Sequence, residues 1–149
     1  MFTACLVAIV RGRTAESLPS EHVALAAAAA LCWALNIPPT IALAASQSGY
    51  DNANCREQKS HSTGSAYRCW AAHLHQHENF PIFAAGMWSA VQQGLAQPVV
   101  ASLAWSWVAL RLGYALAYVS GHDGLRTFVW FCSWCTAMAL YAGVWLGLE

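Results

Sequence analysis

Charge is what this sequence has least of. Only 9% of its 149 residues are Asp, Glu, Lys or Arg, while 58% are apolar; soluble domains carry about a quarter charged. A water-soluble domain of this length needs a charged surface, and this chain cannot cover one. Lipid suits it better. Seven basic and seven acidic residues cancel, so there is no basic excess and no nucleic-acid partner is expected. The pattern of a secretory leader is missing too. Met1 to Val10 is apolar but only half a span, and Arg11 and Arg13 follow that run instead of preceding it. Residues 1–21 therefore read as a peripheral N-terminal extension ahead of a single membrane domain, 22–149. A disulfide framework is also not expected. Of six cysteines, Cys32, Cys132 and Cys135 fall in apolar segments, Cys5 has no evident partner, and only Cys55 and Cys69 lie near a polar loop. They read mainly as small hydrophobes. Cys132-Ser-Trp-Cys135 has redox spacing but no thioredoxin-like context. No internal repeat stands out beyond the alanine run Ala26 to Ala30.

What is present is a series of long apolar runs. A spanning helix needs about 20 mainly apolar residues, and Val23 to Ala45 supplies them, with Ser20 and Glu21 as N-cap and first-turn residues. Pro38-Pro39 predicts a kink there. Ser46 to Ala66 reads as a polar loop. A second helix is expected over Tyr67 to Ala96, polar in its first half and apolar in its second. A third opens at Pro98 and runs to Val119; Gly121-His122-Asp123-Gly124 is a tight turn; a fourth covers Leu125 to Leu148. Short connections make neighbours antiparallel, so the expected fold is all-α, an integral membrane four-helix up-down bundle. Arg56, Lys59, Arg68 and Arg126 outweigh Arg11 and Arg13 across the membrane. The positive-inside rule then puts the Arg56 loop in the cytoplasm and both termini outside.

Two ionisable residues fall well inside apolar segments, Glu78 on helix two and Arg111 on helix three. Each costs about 2.5–3.5 kcal/mol to insert, so such residues face a bundle interior. Glu78 lies roughly 10 Å and Arg111 roughly 12 Å below the same boundary at about 1.5 Å per residue. Equal depth on antiparallel helices predicts a pair. The pair could serve helix register alone, or belong to a site. Arg111, Tyr114 and Tyr118 share one face, His75 and Glu78 share another with Asn79 beside them, and Arg126 starts helix four on the same side.

Arg126 opposes the helix macrodipole. It makes sense if an anion binds there, held by the guanidinium and the free N–H groups together; a thiolate is one such anion, and its thiol would be acidified. The plainer reading is an arginine snorkelling at the boundary. His73 and His77 share a helix face at i, i+4, but Leu74 stands where a zinc protease carries Glu. Hydrogen bonding is expected of them, and no metal. The eight tryptophans suit interfaces and lipid-facing packing.

Taken in order, Ala72-His73-Leu74-His75-Gln76-His77-Glu78-Asn79-Phe80-Pro81, Arg111-Leu112-Gly113-Tyr114 with Tyr118, and Leu125-Arg126-Thr127-Phe128-Val129-Trp130 resemble the MAPEG family, the membrane-associated proteins of eicosanoid and glutathione metabolism. Tyr50-Asp51-Asn52 is similar to the small bacterial branch. The resemblance spans about Val23 to Leu146. It implies a homotrimer with glutathione as co-substrate, bound between subunits near the cytoplasmic face. By position, Glu78 resembles the glutamate that holds glutathione, and Tyr114 and Tyr118 resemble residues lining that site. Arg126 resembles the arginine that stabilises the thiolate, with Thr127 where a serine often stands, and Arg111 resembles the usual helix-three arginine. There are departures. Ala71 stands where the eicosanoid enzymes have arginine and His75 where they have asparagine; Arg68 or His75 itself would have to compensate. Trp130 replaces a tyrosine.

The function implied is a glutathione-dependent transferase or peroxidase acting on a small lipophilic electrophile from the bilayer. Arg126 and Thr127 are its catalytic candidates; Glu78, His75, Arg68, Arg111, Tyr114 and Tyr118 would bind glutathione. The alternatives are a non-catalytic protein of the same fold whose polar layer serves assembly only, and a metal-binding membrane protein using His73 and His77.

Overall fold

The structure, a computed structural model, describes residues 19–146; most of the expected N-terminal extension lies outside them. The described residues are helical and contain no strand. In chain order the helices are α1 (Ser20–Ala34), α2 (Ile37–Ala44), α3 (Cys55–Ser60), α4 (Gly64–Gln92), α5 (Gln97–Ser120) and α6 (Asp123–Trp145). Three rods are long and apolar enough to cross a bilayer: Ser20–Ala44, Gln97–Ser120 and Asp123–Trp145. The fourth long helix, α4, has 29 residues and a length of about 44 Å. It exceeds a hydrocarbon core of about 30 Å, but its polar first half keeps it out of that group of three.

The first rod breaks where the sequence predicts a kink, though not at the prolines themselves. The interruption is Leu35–Asn36, and Pro38 and Pro39 occupy the first turn of α2. Proline is tolerated there because first-turn N–H groups have no helical acceptor. At the other end of the chain, Gly121 closes α5 at φ 80°. The His122 N–H bonds the Ala117 carbonyl at 2.9 Å and the Gly121 N–H bonds Tyr118 at 3.1 Å, a Schellman closure that needs the left-handed residue glycine supplies. With only Gly121 and His122 intervening, α6 returns antiparallel to α5. Tyr118 meets Arg126 at one end, while Val99 and Leu103 face Ala139 and Ala142 at the other.

The apolar core occupies the second half of α4 and its partners. Phe83 and Trp107 stack with centroids 4.1 Å apart, surrounded by Met87, Leu140 and the small residues Ala24, Ala28, Ala104 and Ala137, all buried. The alanines let α1 approach α5 closely, which is how membrane helices associate when no hydrophobic driving force separates them from lipid. The polar loop holds more order than its composition suggests. Asp51 accepts from the Ala53 and Asn54 N–H groups and the Asn54 side chain. Gln58 of α3 reaches back to accept from the Asp51 N–H and donate to the Gly49 carbonyl. The donors from Asn54 and Ala53 hold the Asp51 carboxyl below the usual carboxylate range.

Candidate functional site

The inward stripe of α4 reads Cys69, Trp70, Ala72, His73, Gln76, Phe83, Met87 and Ala90, all buried. Gln76 is on that stripe and Glu78 is not. Two residues apart on a helix are about 200° apart around it, so the stripe that buries Gln76 leaves Glu78 exposed. The expected Glu78–Arg111 pair is accordingly not made. Arg111 is fully buried, its Nε donates to Gln76 Oε1, and its guanidinium carbon stands 4.4 Å from the Tyr114 ring centroid. Both Nη atoms lack an acceptor among the described residues. Arg111 meets α4 near the expected depth, but rotation about the helix axis gives it Gln76 in place of Glu78.

Five of the eight site candidates do come together. His75, Tyr114, Tyr118, Arg126 and Thr127 line one cavity of about 340 Å³, with Trp130. Tyr114 and Tyr118 arrive one turn apart on α5, their rings 5.7 Å apart and steeply inclined. His75 reaches from α4 to within 5.1 Å of the Tyr114 ring. Asn79, one turn on, donates its amide to His75 Nδ1 at 2.7 Å and to the His75 carbonyl at 2.8 Å. An amide donor at Nδ1 requires that nitrogen to be unprotonated, so the ring proton sits on Nε2. Arg126, in the second turn of α6, lies 4.7 Å over the Tyr118 ring and 3.5 Å from the exposed Asp123 carboxylate. Asp123 relieves the unfavourable placement of a cation near a helix N-terminus. The Thr127 hydroxyl donates back to the Asp123 carbonyl.

Three candidates stay out of the cavity. Glu78 is exposed on α4, Arg111 lies behind Tyr114, and Arg68 donates from Nε to the Val119 carbonyl at 2.9 Å. That bond places a cation on an otherwise orphaned carbonyl at the end of α5. Trp130, expected only as a replacement for tyrosine and given no role, is a further wall residue. Its indole N–H is buried without an acceptor among the described residues, and its i, i+4 spacing from Arg126 was the available signal. His73 and His77 lie elsewhere: His73 Nδ1 donates to the Cys32 carbonyl at 2.6 Å, and the two rings meet edge to face at 4.5 Å. No cluster of three or more metal-ligating side chains forms among the described residues.

Chemically, the cavity offers one permanent cation, phenol and hydroxyl groups and an imidazole N–H, between aromatic walls. It can receive an anion or a polarised sulfur. Fold and site together define a helical membrane protein with a polar chamber at the α5–α6 turn end of its apolar helices. The MAPEG family model matches residues 22–146, nearly all of the described chain, and the protein belongs to that family. No curated protein matches it.

Proposed function

We propose that the protein is a glutathione-dependent transferase or peroxidase of the membrane, acting on lipophilic electrophiles. The observation that carries this reading is the gathering of Arg126, Thr127, Tyr114, Tyr118 and His75 around one cavity in a chain that belongs to the MAPEG family. Arg126 and the N–H groups at the start of α6 stabilise the thiolate. In the transferase reaction that sulfur attacks the electrophilic carbon and forms the carbon–sulfur bond as the electrophile's leaving group departs with the electron pair of its broken bond, the thiol proton having gone to water. Tyr114 and Tyr118 wall the sulfur, and His75 Nε2–H supplies a further donor. In this reading α4 crosses the bilayer as a fourth span, giving an up-down bundle with residues 1–21 peripheral to it. The Arg56 loop and the cavity face the cytoplasm.

A cavity of about 340 Å³ is at the small end for a ligand site, and Glu78 stands exposed outside it. Both features support a homotrimer in which a neighbouring chain completes the site, with Glu78 placed to take the ammonium group of glutathione. Ultraviolet difference absorbance of the purified protein mixed with glutathione tests the reading. A thiolate band is expected; its absence at saturating glutathione removes the enzyme reading.

One observation favours the alternative of a non-catalytic member. Both arginines expected to bind glutathione already make a hydrogen bond within the chain, Arg111 to Gln76 and Arg68 to Val119. In that case the polar layer holds the helices together and does nothing more.

A further inference from the structure

A second cavity, about 580 Å³, opens where the α1–α2 break, α3 and the first half of α4 meet. Its charged wall residues are Lys59 and Arg56, and no carboxylate among the described residues lines it. Lys59 is 3% exposed. Its ammonium donates to Asn36 Oδ1 at 2.8 Å and stands 5.6 Å from the Tyr50 ring centroid and 5.4 Å from that of Trp70. Asn36 lies in the break between α1 and α2. An ammonium has three N–H donors. One is used here; the aromatic faces attract the charge but accept little. Among the described residues the ion pairs are His22–Glu21 and Arg126–Asp123, so Lys59 has no counter-charge. An uncompensated cation is costly to bury, and the most direct relief is an anion in the cavity beside it.

The surroundings say what kind of anion. Trp33 and Leu74 on the rim are 67% and 44% exposed, large apolar side chains where a soluble anion would need none. An apolar groove of about 260 Å³ adjoins, sharing Trp33 and Asn36 and walled further by Ile37 and Ile41. Tyr50 and Trp70 are of the type that occupies the headgroup level of a bilayer, and basic residues at that level attract acidic lipid. A cationic cavity joined to an apolar groove is the shape of an amphiphile.

We propose that this cavity binds the phosphate headgroup of an acidic membrane lipid, with Lys59 as the buried counter-ion, Arg56 at the mouth and an acyl chain against Trp33 and Ile37. The site is separate from the Arg126 cavity and does not depend on glutathione chemistry.

Native mass spectrometry of the full chain, released from bilayers of equal phosphatidylglycerol and phosphatidylcholine with identical acyl chains, tests it. Phosphatidylglycerol should be retained at least tenfold over phosphatidylcholine. Lys59→Gln should bring the two to near parity and Arg56→Gln should reduce the preference several-fold, while phosphatidylcholine adducts stay unchanged. Arg56 is exposed, so its variant carries the test if Lys59→Gln loses helicity by circular dichroism. Equal retention of both lipids by the wild type overturns the proposal, as does a preference that survives in every folded variant. Full displacement of phosphatidylglycerol by millimolar inorganic phosphate also overturns it, because the site would then be one for a soluble anion.

Discussion

Arg126 interacts with the Tyr118 ring and with Asp123, an exposed carboxylate that water screens. Little of its charge is therefore spent on folding, and much of it remains for a ligand. Arg126→Ala should remove most of the glutathione thiolate band, at least tenfold at neutral pH, and leave the helical circular dichroism unchanged. Each unit by which the thiol's pKa rises corresponds to about 1.4 kcal/mol of lost thiolate stabilisation. A wild-type band in the variant would eliminate Arg126 as the activating group. Gln76 presents the opposite case, a neutral residue holding a buried charge. Gln76→Leu should destabilise the protein by about 1.5–3 kcal/mol, the usual worth of a hydrogen bond to a charged group, read as a lower thermal midpoint in detergent. The double variant Gln76→Leu with Arg111→Met should recover much of that loss, since a buried polar pair can be replaced by apolar groups at small cost. An unchanged midpoint in the single variant would show that Gln76 does not hold the arginine.

At the scale of elements, α4 and α6 approach closely at one glycine. A Cβ on Gly86 would stand 2.7 Å from Tyr141 Cε2, and the Tyr141 hydroxyl is held by its bond to the Ile82 carbonyl at 2.8 Å. Alanine improves helix propensity by about 1 kcal/mol, but overpacking costs typically 1–3 kcal/mol. Gly86→Ala should therefore lower the thermal midpoint, and Gly86→Ala with Tyr141→Phe should restore part of it by freeing the ring. A raised midpoint in the single variant would mean that the two helices are not in contact there. The loop before α3 makes a different prediction. The folded Asp51 carboxyl titrates below its unfolded value, so its contribution to loop order is complete above the unfolded value, near pH 4. It fades only as pH falls through the lower folded value. Amide exchange at Ala53 and Asn54 should stay protected to about pH 4 and accelerate below it beyond the intrinsic pH trend. Asp51→Asn should abolish that acid-dependent loss of protection.

For the whole molecule, the trimer is the prediction that matters most, because the Arg126 cavity is small and Glu78 lies outside it. Native mass spectrometry in detergent should give a trimer. A monodisperse monomer that still formed the thiolate band would show that one chain makes the complete site.

Periodicity and composition were enough to reveal the four long helical segments, their order, the membrane as solvent and the layer in which the polar residues gather, but not the short helix α3 inside the polar loop. Hydropathy and helical rise act along one dimension, and a sequence is one-dimensional. Arg126, Tyr114, Tyr118 and His75 were legible for the same reason, lying on two helix faces and one helix start in one layer, while Thr127 was legible only through the family resemblance. Rotation about each helix axis was decided by packing. The stripe from Cys69 to Ala90 turned Gln76 inward and Glu78 outward, gave Arg111 a neutral partner, and brought Trp130 into a wall where tryptophan had been assigned no role. The same holds for Lys59. Its burial beside Asn36 depends on a helix break and a short helix, residues 23 apart in the chain, and only their meeting in space creates a buried cation without a counter-charge among the described residues.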